Sequence, residues 1–304
     1  MRALVTGGAG FIGSNLVDRL INDGHEVVII DNLSTGKEQN INPKAKFYNK
    51  DMTHMRRKTD FTMFEGVDVV FHTAAAARVQ PSIENPVEFN TTNVSGTLQM
   101  LQACVDYEVK RFIYSSSSSV YGDVEQTPTP ESHNLNPLSP YALQKLIGEQ
   151  YCKLYSDLYG LETICLRYFN VYGERQLLEG AYCLVMGIFA QQRLNGQPMT
   201  IRGDGEQRRD FTYVGDVVEA NIKAAKYGYP YLEVSGETFN IGNGDNRSVN
   251  QIADMIGGDR INVEPVIEPR ETLADNSKAK KILDWNPTTK IEEWMKNYKE
   301  ELGI

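Results

Sequence analysis

Cysteine is scarce and scattered. The four residues, Cys104, Cys152, Cys165 and Cys183, form no CxxC pair in a chain of 304. That excludes a disulfide-stapled scaffold and fits a reduced, intracellular setting. Long apolar runs are also missing. The longest plainly apolar stretch, 183–190, falls far short of the roughly 20 residues that span a bilayer, so no membrane partner is expected. The opening residues, MRALVTGG, carry too short an apolar segment for a secretory leader, which makes the cytoplasm the expected location. Nor is there a basic excess: 31 Lys and Arg stand against 40 Asp and Glu, a net charge of −9. A nucleic-acid partner is therefore not expected. The acidic balance does not forbid an anionic ligand, because backbone N–H groups and a few Arg can hold phosphate locally. The four His fit no ligand spacing such as HExxH, and no metal is expected.

The residues that are present read as an ordinary globular chain of about two domains, 41% hydrophobic and 23% charged. Short β-rich runs alternate with helical stretches through the first 170 residues. Strand candidates are 2–6, 26–31, 46–49, 67–71, 111–115 and 162–166. The run Val27-Val28-Ile29-Ile30 is apolar on both faces, as in a strand buried within a parallel sheet. Helical spacing marks 11–23, closed by Gly24, and also 87–107 and 141–159. This alternation predicts βαβ units: an α/β, doubly wound, Rossmann-like parallel sheet with helices on both faces. Beyond residue 170 the elements become shorter and mixed. Helices are expected at 182–195, 216–226, 277–283 and 291–302, and a strand at 199–202. The expected division is a dinucleotide-binding domain over 1–170 and a smaller mixed α/β substrate domain over 171–304. Some later segments, such as 209–241, are candidates to pack back on the first domain.

Two motifs carry chemistry. Gly7, Gly10 and Gly13 fit GxxGxxG between the first strand and the first helix. The first glycine permits a tight turn, the second a close approach to pyrophosphate, the third close helix–strand packing. The helix start, with Phe11 and Ile12, offers N–H groups to the phosphates. Asp31 ends the second strand, 18 residues after Gly13. A carboxylate there accepts from ribose hydroxyls and repels a 2′-phosphate, which favours NAD over NADP. The second motif is YxxxK, Tyr141 and Lys145. With 16 Tyr in the chain the spacing alone says little. At the start of a helix, however, i and i+4 share one face. An ammonium beside the phenol, helped by a cationic nicotinamide ring, would favour the phenolate and make Tyr141 a general base.

These residues, with the serine run ahead of Val120-Tyr121-Gly122, resemble the extended short-chain dehydrogenase/reductase family. So do NTTNVSG at 90–96, RYFNVYG at 167–173 and RDFTYVGD at 209–216. The resemblance covers essentially the whole chain and is nearest to nucleotide-sugar 4-epimerases of the UDP-glucose type. It implies Ser117, Tyr141 and Lys145 as the catalytic set, with bound NAD taking a hydride from C4 of a UDP-sugar and returning it to the other face. It implies that Asp31 and Asn32 bind the adenine ribose and that Asp51 and Met52 flank adenine. Thr73, Ala74, Asn93, Ser115 and Tyr168 would line the rest of the cofactor. Asn170, Thr200, Arg202, Arg209, Arg270 and Thr272 would hold the nucleotide sugar.

Departures from the family pattern matter too. Ser118 and Ser119 stand where related 4,6-dehydratases carry an acid and a base, and Ser cannot do carboxylate work at neutral pH. The usual diphosphate-binding Arg falls at Pro265 in a gapless reading of VEPVIEPR at 263–270, which leaves Arg270 either as its substitute or as a solvated charge. Ala77 replaces a Lys of some epimerases, next to Arg78. A small Thr272, at a position that resembles a size gate, implies room for an N-acetyl group. A UDP-glucuronate 4-epimerase, a dehydratase and a non-catalytic binding relative are the alternatives. Resemblance also implies a homodimer through the helices at 87–107 and 141–159.

Overall fold

The computed structural model describes residues 1–177, 184–226, 234–265 and 269–304. Its first half is built on strands β1 (Arg2–Thr6), β2 (Glu26–Asp31), β3 (Lys46–Asn49), β4 (Val69–His72), β5 (Arg111–Ser117) and β6 (Glu162–Tyr168). Helix α1 (Phe11–Asn22) links β1 to β2. Between β4 and β5 lie α2 (Val79–Glu84), α3 (Pro86–Asn90) and α4 (Thr97–Asp106), and α5 (Pro140–Tyr159) precedes β6. Strand β11 (Glu237–Ile241) completes a seven-stranded sheet in the order β11–β6–β5–β4–β1–β2–β3. Every pairing within it is parallel. The order reverses between β1 and β4, the topological switch point at which doubly wound sheets take ligands.

Side chains alternate across this sheet with period two. Ala3, Val5 and Ile29 face Leu16, Leu20 and Val217, while Leu4, Val28 and Phe112 face Leu101, Cys104 and Cys152. Both faces are thus apolar and covered, which is why these strands read as continuous hydrophobic runs. Each side chain of Leu or Phe size removed from water contributes about 1.5–3 kcal/mol.

The remaining elements are β7 (Val171–Tyr172), α6 (Val185–Leu194), β8 (Met199–Arg202), β9 (Arg208–Asp210), β10 (Thr212–Tyr213), α7 (Val214–Lys226), β12 (Asn246–Ser248), α8 (Val249–Ile256), β13 (Arg260–Val263), α9 (Ser277–Ile282) and α10 (Ile291–Leu302). Strands β7–β10 and β8–β13 pair parallel, and β9–β12 antiparallel. Tyr172, Phe189, Ile201, Phe211, Ile252 and Trp294 belong to a separate core. The chain crosses between lobes more than once. Strand β11 pairs with β6, and Val217 on α7, Ala279 on α9 and Trp285 belong to the first core.

Several elements depart from the sequence reading. The expected helix over 87–107 contains a wider, π-type turn at 91–96. Asn93 in that turn is buried and reaches Ala76 on a neighbouring loop. The expected strand at 67–71 begins only at Val69, because Asp68 is drawn off to accept from Arg2 N–H and Lys110. The helix expected at 182–195 is seen from Val185, and its first two residues, including Cys183, lie outside the described residues. The helix expected at 216–226 begins two residues earlier, at Val214, so Asp216 sits inside its first turn, and its carboxylate accepts from the N–H groups of Thr288 and Thr289 at 3.1 Å.

A buried polar chain ties the sheet to α5. Glu149 accepts from Arg167 Nε at 2.9 Å and Nη2 at 2.7 Å, and also from Ser116 Oγ. Arg167 Nη1 donates to Tyr121 Oη at 2.8 Å, and Tyr121 donates to Asn240 Oδ1 at 2.6 Å. Four elements, α5, β5, β6 and β11, meet through it. Removing one partner of such a pair leaves a buried charge uncompensated, whereas removing both does not. Arg167→Met is therefore expected to lower unfolding free energy by about 3–5 kcal/mol. Adding Glu149→Leu should recover a large part of that loss. Equilibrium urea denaturation measures both variants, and an unaltered midpoint for the single variant would contradict the account.

Candidate active site

The switch point is built from the glycine turn. Gly7 has φ +70°, and a Cβ there would meet the Ala74 backbone at 2.8 Å. A Cβ at Gly13 would collide with the Gly7 carbonyl oxygen. Gly10 N–H donates to Gly7 O at 3.0 Å, and Ser14 N–H makes an intrahelical bond to Gly10 at 3.0 Å. The N–H groups of Phe11, Ile12 and Gly13 therefore lie at the open helix start, in a region of partial positive charge. No acidic residue stands in that first turn. On the far side, Thr73 Oγ1 donates to Thr6 O at 2.7 Å and Ala74 N–H to Thr6 Oγ1 at 3.2 Å.

Asp31 accepts from Ala9 N–H at 2.9 Å and Leu33 N–H at 2.8 Å, which holds its carboxylate at the mouth of the turn. Asn32 donates to Asp51, whose other oxygen accepts from Thr53 N–H and Oγ1. Met52 is buried against Gly96. The side-chain-free cradle, the helix start and the carboxylate at the end of β2 together fit a dinucleotide such as NAD.

Next to this turn, β5 delivers Ser115 and Ser117, and α5 delivers Tyr141 and Lys145. Helix α5 starts where it does because Ser139 accepts from Ala142 N–H at 3.2 Å and Pro140 sits at the first helical position. Tyr141 N–H donates to Ser82 Oγ at 3.1 Å, which ties α2 to the same spot. Lys145 is buried and donates to the Ser115 carbonyl at 2.7 Å, with its ammonium 6.0 Å from the centre of the Tyr141 ring. Burial pulls Lys145 down to about 8. Burial pushes the Tyr141 phenol above its ordinary value, against a hydrogen bond with Ser117 and the charge of Arg78. The influences that lower the phenol thus come from Ser117 and Arg78 rather than from the expected Lys145, and desolvation outweighs them. Arg78 has φ +95°, an uncommon conformation for a side chain of that size.

Two expected cofactor contacts have their polar atoms engaged within the protein. Asn93 Oδ1 accepts from Ala76 N–H, while its Nδ2 donates to Ala76 O and to Gln144 Oε1. Tyr168 Oη bonds Ser115 Oγ at 3.0 Å and accepts from Asn221 Nδ2 at 2.8 Å, on the face that α7 covers.

On the other lobe, Asn170 and Thr272 come together. Asn170 has φ +29° and donates to Asp210 O at 3.0 Å, with Thr272 Oγ1 at 3.5 Å. Asp210, which the sequence reading did not single out, anchors this region. Its carboxylate accepts from the N–H groups of Asn243, Gly244 and Ala274 at 2.7–3.0 Å, and burial pushes it up to about 7. The RDF motif and the GNGDN turn were its only signals. Arg209 lies on β9 and donates to the Arg208 carbonyl. Thr200 is held by Gln192 at 2.9 and 3.0 Å, and Arg202 is exposed. Arg270 forks onto Asp204 at 2.9 and 3.0 Å in an exposed pair.

Known proteins share this fold. The model of the NAD dependent epimerase/dehydratase family matches residues 3–242. A UDP-glucose 4-epimerase of Mycolicibacterium smegmatis is 37% identical over 96% of this chain and 96% of its own. The UDP-glucose 4-epimerase of Thermotoga maritima, solved with UDP-glucose, superposes with a TM-score of 0.92 at 38% identity. That match covers 99% of this chain and 100% of the other. A UDP-N-acetylglucosamine 4-epimerase of Methanobrevibacter ruminantium, in complex with UDP-N-acetylmuramic acid, gives 0.90 at 36%, covering 97% and 95%. The chain belongs to the NAD-dependent epimerase/dehydratase family.

Proposed function

We propose that the chain inverts C4 of a UDP-sugar through a 4-keto intermediate, with NAD as a resident cofactor. The observation that carries this reading is the grouping of Ser117, Tyr141 and Lys145 beside the glycine turn, with serines at 118 and 119. Tyr141 removes the O4 proton, and Ser117 steadies the oxygen as its charge changes. Lys145 holds the nicotinamide ribose and adds positive charge behind the phenol. Bound NAD would supply hydride chemistry at C4, and its cationic ring would favour the phenolate that burial disfavours. Two serines in place of an acid and a base leave hydride transfer without elimination of water.

The 3.5 Å separation of Thr272 Oγ1 from Asn170 Nδ2 supports reading Thr272 as a size gate, and its small side chain suits an N-acetyl group at C2 as well as a plain hexose. A uronate is the second reading, favoured by the charge of Arg78 near Tyr141, which would attract a carboxylate at C6. Leu143, Leu154, Leu158 and Tyr159 are exposed on α5, and Val87 is exposed on α3, which packs against α5. An apolar face of this kind supports a homodimer through the helix pair.

Incubation of purified protein with a UDP-sugar panel, without added NAD, should yield 4-epimers. Net NADH or a 4-keto-6-deoxy product would refute the reading. Tyr141→Phe should keep NAD and UDP-sugar binding and lose about 100-fold or more in kcat. Full activity would remove Tyr141 from the mechanism. Thr272→Tyr should remove N-acetylhexosamine turnover and spare hexose turnover, and equal loss of both would sink the gate. In sedimentation, Leu154→Glu with Leu158→Glu should convert a dimer to a monomer; an unchanged sedimentation coefficient would place the interface elsewhere.

A further inference from the structure

The geometry points to the ring of Tyr114 as the positioning group that keeps the Lys145 ammonium charged in its buried place. This inference rests on the role given to Lys145 above and adds a residue to it. Lys145 is buried, and its one hydrogen bond among the described residues goes to the Ser115 carbonyl at 2.7 Å. Among those residues no ion pair joins it to a carboxylate. Glu149, one turn further along α5, is spent on Arg167 and Ser116. A buried cation without an anionic partner sheds its proton unless something replaces the water it has lost.

What faces the ammonium is an aromatic ring. Its nitrogen lies over Tyr114, 5.0 Å from the ring centre, nearer than the 6.0 Å to the Tyr141 ring. The face of an aromatic ring attracts a cation within about 6 Å, most strongly where water is excluded. The ring is fixed from two sides. His72 on β4 stacks on it, with centroids 5.9 Å apart and planes at 19°. Gly148 on α5 leaves room for its hydroxyl, because a Cβ there would collide with Tyr114 Oη. That hydroxyl is buried and makes no hydrogen bond, so the ring is the part of Tyr114 that serves.

The other titratable groups near Lys145 are Tyr141, Glu149 and Cys152 on its own helix, Cys165 on β6 and His72 on β4. A substitution at 114 removes none of them. Burial holds His72 down to about 3, so it brings no positive charge. Burial alone already pulls Lys145 to about 8. Loss of the ring face destabilises the ammonium and moves its titration further down, so any function that needs the charged form is lost at lower pH.

The test uses the NAD-bound protein with carbon-13 at the lysine Cε, where the resonance missing from Lys145→Met reports the Lys145 titration. Position 114 carries Tyr114→Phe, Tyr114→Leu, or phenylalanines with one, two or three ring fluorines introduced at that codon. Fluorine drains the ring face of negative charge at nearly constant size, so the series decides the matter even if the Leu variant does not fold. Tyr114→Phe should keep the midpoint within about 0.2 pH unit of the native one, because the ring face is retained. It should not lower the melting temperature, because the hydroxyl it removes has no partner. Three fluorines should lower the midpoint by about half to one pH unit relative to Phe, with the others in between. Tyr114→Leu should lower it at least as far, and the alkaline limb of kcat/KM should move down with the midpoint. Equal midpoints in the Phe and trifluoro forms overturn the inference, as does a Phe variant that shifts like Leu. If the midpoint falls while the alkaline limb stays in place, the inference stands and the catalytic role given to Lys145 fails instead.

Discussion

The position of α5 against the sheet governs the rest of the site. That helix carries Tyr141 and Lys145, and the strand beside it carries Ser117. One turn beyond Lys145, Glu149 is clamped by Arg167 from β6 and Ser116 from β5, in a setting with almost no water. A buried carboxylate and guanidinium tolerate little misplacement, because an imperfect pair loses more in desolvation than it recovers in attraction. The pair therefore acts as a register pin between the helix and the two strands. The serine run is informative for the same reason. Ser115 offers its carbonyl to Lys145, Ser116 faces the ion pair, and Ser117 turns to Tyr141. Period-two alternation separates the outlook of neighbouring serines, and the end of the strand turns the last one toward the helix start.

Charge and burial oppose each other throughout. A net charge of −9 offers no general attraction for a diphosphate. On the proposed reading, capture of phosphate would depend instead on the N–H groups at the start of α1 and on the absence of side chains at Gly7 and Gly13. Burial raises the Tyr141 phenol and lowers the Lys145 ammonium to about 8, shifting each toward its neutral form. A cationic nicotinamide bound beside them would oppose the first shift and reinforce the second.

The two lobes are less separate than their sequence order implies. Strand β11 and α7, which follow β8 and β9, return to the first sheet and its core. Asp210 then gathers the turn at 243–244 and Ala274 around Asn170 and Thr272. The candidate sugar side is thereby tied to the end of β6, with Asn170 two residues beyond Tyr168 of the first core.

Much of this was legible in the amino-acid order. The alternation of strands and helices, the glycine turn with Asp31, and the YxxxK helix behind Ser139 and Pro140 are all local patterns. Backbone sterics, capping and period-two or 3.6 burial write such patterns into neighbouring residues. The same order could not reveal the π-type turn at 91–96, the Glu149–Arg167 pin or Asp210, because their partners lie 17 to 64 residues away. Nor could it show that Asn93 and Tyr168 spend their polar atoms inside the protein, that Arg270 pairs with Asp204, or that burial raises the Tyr141 phenol. The sequence by itself determined the fold class and the chemical groups available. Only the tertiary structure decided which of those groups meet and which are buried, because desolvation and hydrogen bonding depend on neighbours brought together by packing rather than by chain order.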